Sequence, residues 1–132
     1  MKDEIDVLLF VESRYKINRK RLKSQVSKLV REHGVKDKAE VSVAIIGDRK
    51  MRELNSKYKG KDYTTNVLSF SLMEGDTPFV MPSSKTLRLG DVVVSYPQAI
   101  REAVKEEVLV DDKIEELVLH GVLHLLGIHH EE

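Results

Sequence analysis

The sequence predicts an α+β fold, a mixed sheet of about four strands packed with about four helices and carrying a zincin-like metal site on its last helix. Three observations predict it. Short β-branched runs recur along the chain, helical apolar periodicities separate them without strict alternation, and the final periodic segment is apolar around most of its circumference. At 132 residues with an apolar fraction of 41%, one hydrolase domain over 1–132 with a single core is expected.

Ile5 to Val11 is a short apolar run with β-branched and aromatic residues, which reads as a buried or sheet-edge strand. Asn18 is a good N-cap, because its side-chain oxygen can accept from the first free amides of a helix. Leu22, Val26, Leu29 and Val30 then mark one helical face, and Gly34 ends it. Glu40 to Ile46 alternates and then runs apolar, giving a second strand that enters the Gly47-Asp48 turn. Asp48 is expected to cap a short helix whose inner face is Met51, Leu54 and Tyr58.

Lys59 to Thr65 lacks apolar periodicity and reads as a loop, and Asn66 to Leu72 as a third strand. Gly75, Pro78, Pro82, Ser83 and Ser84 make 74–86 a flexible connection, read as a surface excursion in preference to a lid near the site. Asp91 to Val94 is a fourth, short strand. Ser95 and Gln98 form a capping box around Pro97, and Ala99, Ile100, Ala103 and Val104 are expected to bury one face of the helix that follows. Asp112 and Glu115 form a second capping box, opening the last helix. On that helix Ile114, Leu117, Val118, Gly121, Val122, Leu125 and Leu126 predict deep burial.

Four of the five histidines lie in His120-Gly121-Val122-Leu123-His124-Leu125-Leu126-Gly127-Ile128-His129-His130. Residues four apart share a helical face, so His120 and His124 can present two imidazoles to one metal ion. Gly127 can end the helix in a left-handed turn, which brings His129 or His130 within reach. His120, His124, Gly127 and His130 reproduce the spacing of the H-x-x-x-H-x-x-G-x-x-H zinc frame, and three neutral nitrogens leave zinc one open position. A closed structural zinc site would need a fourth ligand, for which His129 is available. Imidazole sites also accept nickel and copper. A zinc peptidase carries glutamate after the first histidine to take a proton from water; here that residue is Gly121, which disfavours a metallopeptidase-like hydrolase.

This stretch, HGVLHLLGIHH, resembles the H-G-x-L-H-L-x-G-x-D-H signature of the YbeY family of metal-dependent endoribonucleases. Asn55 to Phe70, NSKYKGKDYTTNVLSF, is similar to the family's central loop and strand, and Leu89 to Ser95, LGDVVVS, to its next strand. His129 stands where the family usually has Asp, and Lys59 where it has Arg. The resemblance implies hydrolysis of phosphodiesters in single-stranded RNA, in ribosomal RNA 3′-end maturation and ribosome quality control, with ribosomal RNA and the small ribosomal subunit as partners. It also implies catalytic roles for two residues. Lys59 would place a cation beside the reacting phosphoryl group. His129 would donate a hydrogen bond to a ligand, join the coordination or act as an acid toward the leaving oxygen. Asn66 and Ser69 match the motif. The competing reading is a metal-stabilised, non-catalytic ribosome-assembly or RNA-binding factor.

Lysine plus arginine total 22 and aspartate plus glutamate total 22, so net charge gives no nucleic-acid signal. Its distribution does: residues 14 to 38 hold ten basic residues against two acids, and from Arg101 onward three basic residues face nine acids. Arg19, Lys20, Arg21, Lys23, Lys28 and Arg31 are therefore candidates for phosphate contacts. The absence of cysteine suits a reducing compartment, the N-terminus does not read as a signal peptide, and no apolar run is long enough to span a bilayer. A cytoplasmic protein is expected.

Overall fold

The computed structural model describes residues 5–72 and 86–128. In chain order the elements are β1 (Ile5–Val11), α1 (Arg19–Glu32), β2 (Ala39–Ile46), α2 (Asp48–Lys59), β3 (Val67–Ser71), β4 (Leu87–Ser95), α3 (Tyr96–Glu106) and α4 (Val110–Leu125). The sheet order is β1-β2-β4-β3, with β1, β2 and β4 parallel and β3 antiparallel at one edge. This is the expected α+β class. The connection expected over 74–86 lies outside the described residues except for Thr86.

Strand alternation sends two sets of side chains to opposite faces. On one face Val41, Val43, Ile45, Leu89, Val92 and Val94 pack against Leu22, Val26 and Val30 of α1 and against Ile114, Val118, Val122 and Leu125 of α4. On the other face, among the described residues, α2 packs alone, where Met51 meets Ile46, Leu68 and Val93. The first face is the main core. The second stays partly open.

Asn18 caps α1 as expected, its side chain accepting from the Arg21 amide at 3.1 Å. Five other expectations need correction. β4 starts at Leu87 rather than Asp91, because the ladder to β2 continues through a register shift at Glu40/Val41 that the apolar pattern does not reveal. The N-cap of α2 is Gly47, not Asp48, whose carboxylate is engaged elsewhere. Tyr58 is exposed rather than on the inner face.

On α3, Ala99 and Ala103 are buried, but Ile100 and Val104 face solvent. The helix is turned so that Glu102 and Glu106 meet the buried Lys113 of α4, whose Nζ lies 3.9 Å from Glu102 and 2.6 Å from Glu106, with Glu116 at 3.1 Å. Burial lowers the lysine's pKa, but the hydrogen bonds it donates to Glu106 and Glu116, and their charges, outweigh it and leave it raised. A buried ammonium without those carboxylates would be prohibitive, so the ion cluster decides which side of α3 turns inward. Finally, α4 begins at Val110 with no side-chain cap, not at an Asp112/Glu115 box. Those two acids instead hold Arg21 of α1, each at 2.7 Å.

Candidate active site

α4 reaches the sheet at glycine. A Cβ on Gly121 would stand 2.6 Å from Val92 Cγ1, so only glycine lets this turn of the helix lie against β4. Gly90 makes a similar approach with φ +139°, where a Cβ would meet the Phe70 carbonyl and Leu125 Cδ2 at 2.9 Å from the latter. These two contacts seat the C-terminal half of α4 beside β3. The result is a fixed position for both helical histidines.

His120 and His124 lie on one face of α4 with ring centroids 4.5 Å apart and planes tilted by 53°. Both are partly buried. The helix ends as the glycine predicts: Gly127 has φ +85°, its amide donates to the His124 carbonyl at 3.0 Å, and Ile128 donates to Leu123 at 2.9 Å. The chain turns there toward 129 and 130. His129 and His130 lie outside the described residues, and among the described residues no group of three or more metal-binding side chains is assembled. The neutral imidazole pair at this spacing fits two positions of a divalent-metal site.

Lys59 closes the last turn of α2 and lines one cleft of about 370 Å³ together with Ser69 and Ser71 of β3 and His124 of α4. Its Nζ stands 5.4 Å from the centre of the Phe70 ring. The structure therefore brings together the cation and one member of the histidine pair, from elements far apart in sequence.

The segment after Lys59 is held by a network that pattern reading missed. Gly60 ends α2 in the left-handed region at φ +70°. The buried Asn55 donates to the Tyr63 carbonyl at 2.9 Å, and its own carbonyl accepts from the Lys61 amide at 3.3 Å. Arg52 binds Asp62 through Nε and Nη2 at 3.1 and 3.0 Å. Thr64, Ser95 and Gln98 all donate to Asp48 Oδ1, at 3.3, 2.8 and 3.1 Å, while Arg101 reaches Oδ2 at 3.1 Å. Burial raises the Asp48 pKa, but the bonds from Ser95, Gln98 and Arg101 win and lower it. Asn66 donates to Glu102 at 2.9 Å and accepts from the Ser95 amide at 2.9 Å, so it ties β3 to α3 and β4. Ser69 lines the cleft.

Of the six basic residues singled out on α1, Arg21 is occupied by Asp112 and Glu115, and Arg31 donates to the Val35 and Asp37 carbonyls at 2.8 and 3.3 Å. Arg19, Lys20, Lys23 and Lys28 are exposed. The available basic set is thus smaller than the charge count implies.

Fold and site together define a candidate metal-dependent hydrolase of the α+β class. The sequence profile described as Endoribonuclease YbeY matches residues 9–132. Among curated relatives, "Endoribonuclease YbeY" of Syntrophus aciditrophicus is 38% identical over 120 residues, which cover 91% of this chain and 72% of that protein. The protein of the same name from Dehalococcoides mccartyi is 34% identical, over 98% of this chain and 79% of its own length. The solution structure of TM1509 from Thermotoga maritima superposes with a TM-score of 0.60 at 27% identity, covering 96% of this chain and 75% of that one. This chain belongs to the YbeY endoribonuclease family.

Proposed function

We propose that the chain is a single-domain hydrolase that cleaves phosphodiesters in single-stranded RNA, in ribosomal RNA 3′-end maturation and ribosome quality control, with the small ribosomal subunit as its setting. The observation that carries this reading is the single cleft shared by Lys59 and His124. His120, His124 and His130 would hold one divalent ion, with zinc the best match to three imidazoles and nickel a workable substitute. When bound, such an ion supplies a Lewis acid for a phosphoryl oxygen and makes water a better nucleophile.

The chain's own residues do the rest. α4 fixes two imidazoles on a buried helix, which limits their rotation and pre-orients their donor nitrogens. Lys59 places an ammonium where negative charge develops on the phosphoryl oxygens. His129 would donate a hydrogen bond to a ligand, join the coordination or act as an acid toward the leaving oxygen. Lysine in place of the family's arginine keeps the charge but gives up the two-pronged geometry. Peptidase chemistry is disfavoured further, because a glutamate at 121 would have to pass through Val92. No helix among the described residues is long and apolar enough to cross a membrane. That agrees with a cytoplasmic site of action.

The test is elemental analysis paired with cleavage of a single-stranded RNA. His120→Ala and His124→Ala should each lose bound metal and cleavage together, and chelation of the native chain should do the same, with activity restored by added zinc. Full metal content in both variants would remove these histidines from the site. Metal loss with undiminished cleavage would remove metal from the reaction.

A further inference from the structure

Resting on the reading of the chain as a single-strand RNA hydrolase, we propose that the open face of the sheet is a nucleobase-binding platform. In it Phe10, Tyr58 and Phe70 stack the bases of the RNA that leads into the cleavage cleft.

The face is built by strand register. One row across it is Leu8, Ser42, Asp91 and Phe70, and the next is Phe10, Ala44, Val93 and Leu68. α2 covers only the β4 and β3 side, through Met51 and Leu54. Toward β1 a groove of about 800 Å³ remains, in which Phe10 is 59% exposed and Tyr58 on the rim 55% exposed. A concave, mostly apolar groove with a few polar groups converging on it is the usual form of a ligand site.

The chemistry of the groove selects its occupant. Among the described residues its lining carries Asp6, Ser42 and Asp91 between apolar side chains and one cation, Lys23 toward β1, while Lys57 stands 5.2 Å from the Tyr58 ring and Lys59 5.4 Å from the Phe70 ring. A phosphate on the floor would face carboxylates. A base laid there offers its exocyclic amino group to them, as cytosine does to Asp or Glu, and leaves its phosphates at the lysines. Aromatic faces with a basic margin are the combination that binds single strands, because every base has a stacking face. A duplex hides those faces, so the platform also favours single-stranded substrate.

The groove and the cleft lie on the two faces of the sheet and approach each other at the β3 edge. Phe70 lines the groove and packs edge-on to Tyr58 with centroids 5.4 Å apart, while Lys59, poised over Phe70, lines the cleft with His124. A strand crossing from Lys23 to Lys59 with its bases against the open face would reach the histidines by passing over the β3 edge beside Lys59.

The test measures binding by the full chain under chelation, so that nothing is cut. The probes are a short unstructured RNA, the same RNA with abasic sugars, and a duplex of equal length. Phe10→Ser and Tyr58→Ser alter exposed positions, and circular dichroism checks that both stay folded. Each should weaken single-strand binding roughly 5- to 150-fold, the range that base–aromatic stacking supports. The salt slope should be unchanged, since no phosphate contact is lost. Abasic RNA should bind the native chain as weakly as intact RNA binds the variants. Variants that bind intact RNA like the native chain would overturn the platform while leaving the cleavage reading standing. Failure of the native chain to bind any RNA would overturn both. Variants that bind RNA normally but lose binding to a purified ribosomal protein would assign the groove to a protein and also overturn the proposal.

Discussion

The two sides of the cleft are made by different physics. On one side His120 and His124 ride on a helix whose other residues, Ile114, Val118, Val122 and Leu125, are buried in the main core, so apolar packing fixes the helix that carries the imidazoles. On the other, Lys59 ends a helix at the surface, and the residues after it are placed by hydrogen bonds to Asn55, Arg52 and Asp48. Packing is cooperative and unforgiving, whereas a network of partly exposed polar groups can lose a member and relax. The comparison teaches that stability and catalysis should separate: damage to the α4 side should cost both, and damage to the Lys59 side mainly the reaction.

The largest loss of stability should come from Gly121→Ala. The added methyl must displace Val92 or lift α4, and overpacking of this kind costs about 1–3 kcal/mol. Urea unfolding should show the loss, and metal content and RNA cleavage should fall with it, because the histidines move with the helix. A variant of native stability would mean that Val92 yields freely and that the helix is not seated by this contact.

Next in size is Asn55→Ala, which strands the Tyr63 carbonyl and frees the turn after Lys59. A lost buried hydrogen bond of this type costs about 1–3 kcal/mol at most. Cleavage should fall more than stability, with metal content unchanged. Parallel loss of metal would show that the two sides are not separable.

Much of this was legible in the sequence. β1, β2, β3 and α1 announce themselves because alternation, 3.6-residue periodicity and the Asn18 cap are all local signals. The histidine pair was legible for the same reason, since both residues sit on one element. Lys59 came from the family resemblance instead; sequence pattern assigns it to the loop over 59–65, whereas it ends α2. The Asp48 cluster and the Lys113 cluster were not legible, because their partners are distant in sequence and meet only when the sheet forms. The rotated face of α3 follows from that: Ile100 and Val104 lose to a buried ammonium that the local pattern cannot show.

The smallest effect should be one of pH. The Asp48 pKa is lowered by folding, so the stability it contributes is fully present above the unfolded carboxylate value of about 3.9 and is lost as pH falls through the lower folded value. Asp48→Asn should flatten the decline in the urea midpoint below about pH 4. Equal slopes for native and variant would place the acid sensitivity elsewhere. Lys113 has the opposite sign: its raised pKa holds its contribution up to about pH 10.4, and loss begins as pH climbs beyond that toward the folded value.

The central claim is that Lys59 and the histidines act in one cleft, and a three-chain comparison tests it most directly. Single-turnover cleavage of a single-stranded RNA, together with metal content, should be measured for the native chain, Lys59→Ala and Lys59→Arg. All three should hold equal metal. The alanine variant should cleave roughly 10²- to 10³-fold more slowly, as expected when one group stabilising developing charge is removed. Arginine, which restores the charge with a two-pronged donor, should recover the native rate or exceed it. An alanine variant that cleaves like the native chain would contradict the account and leave Lys59 a solvated residue at the end of α2.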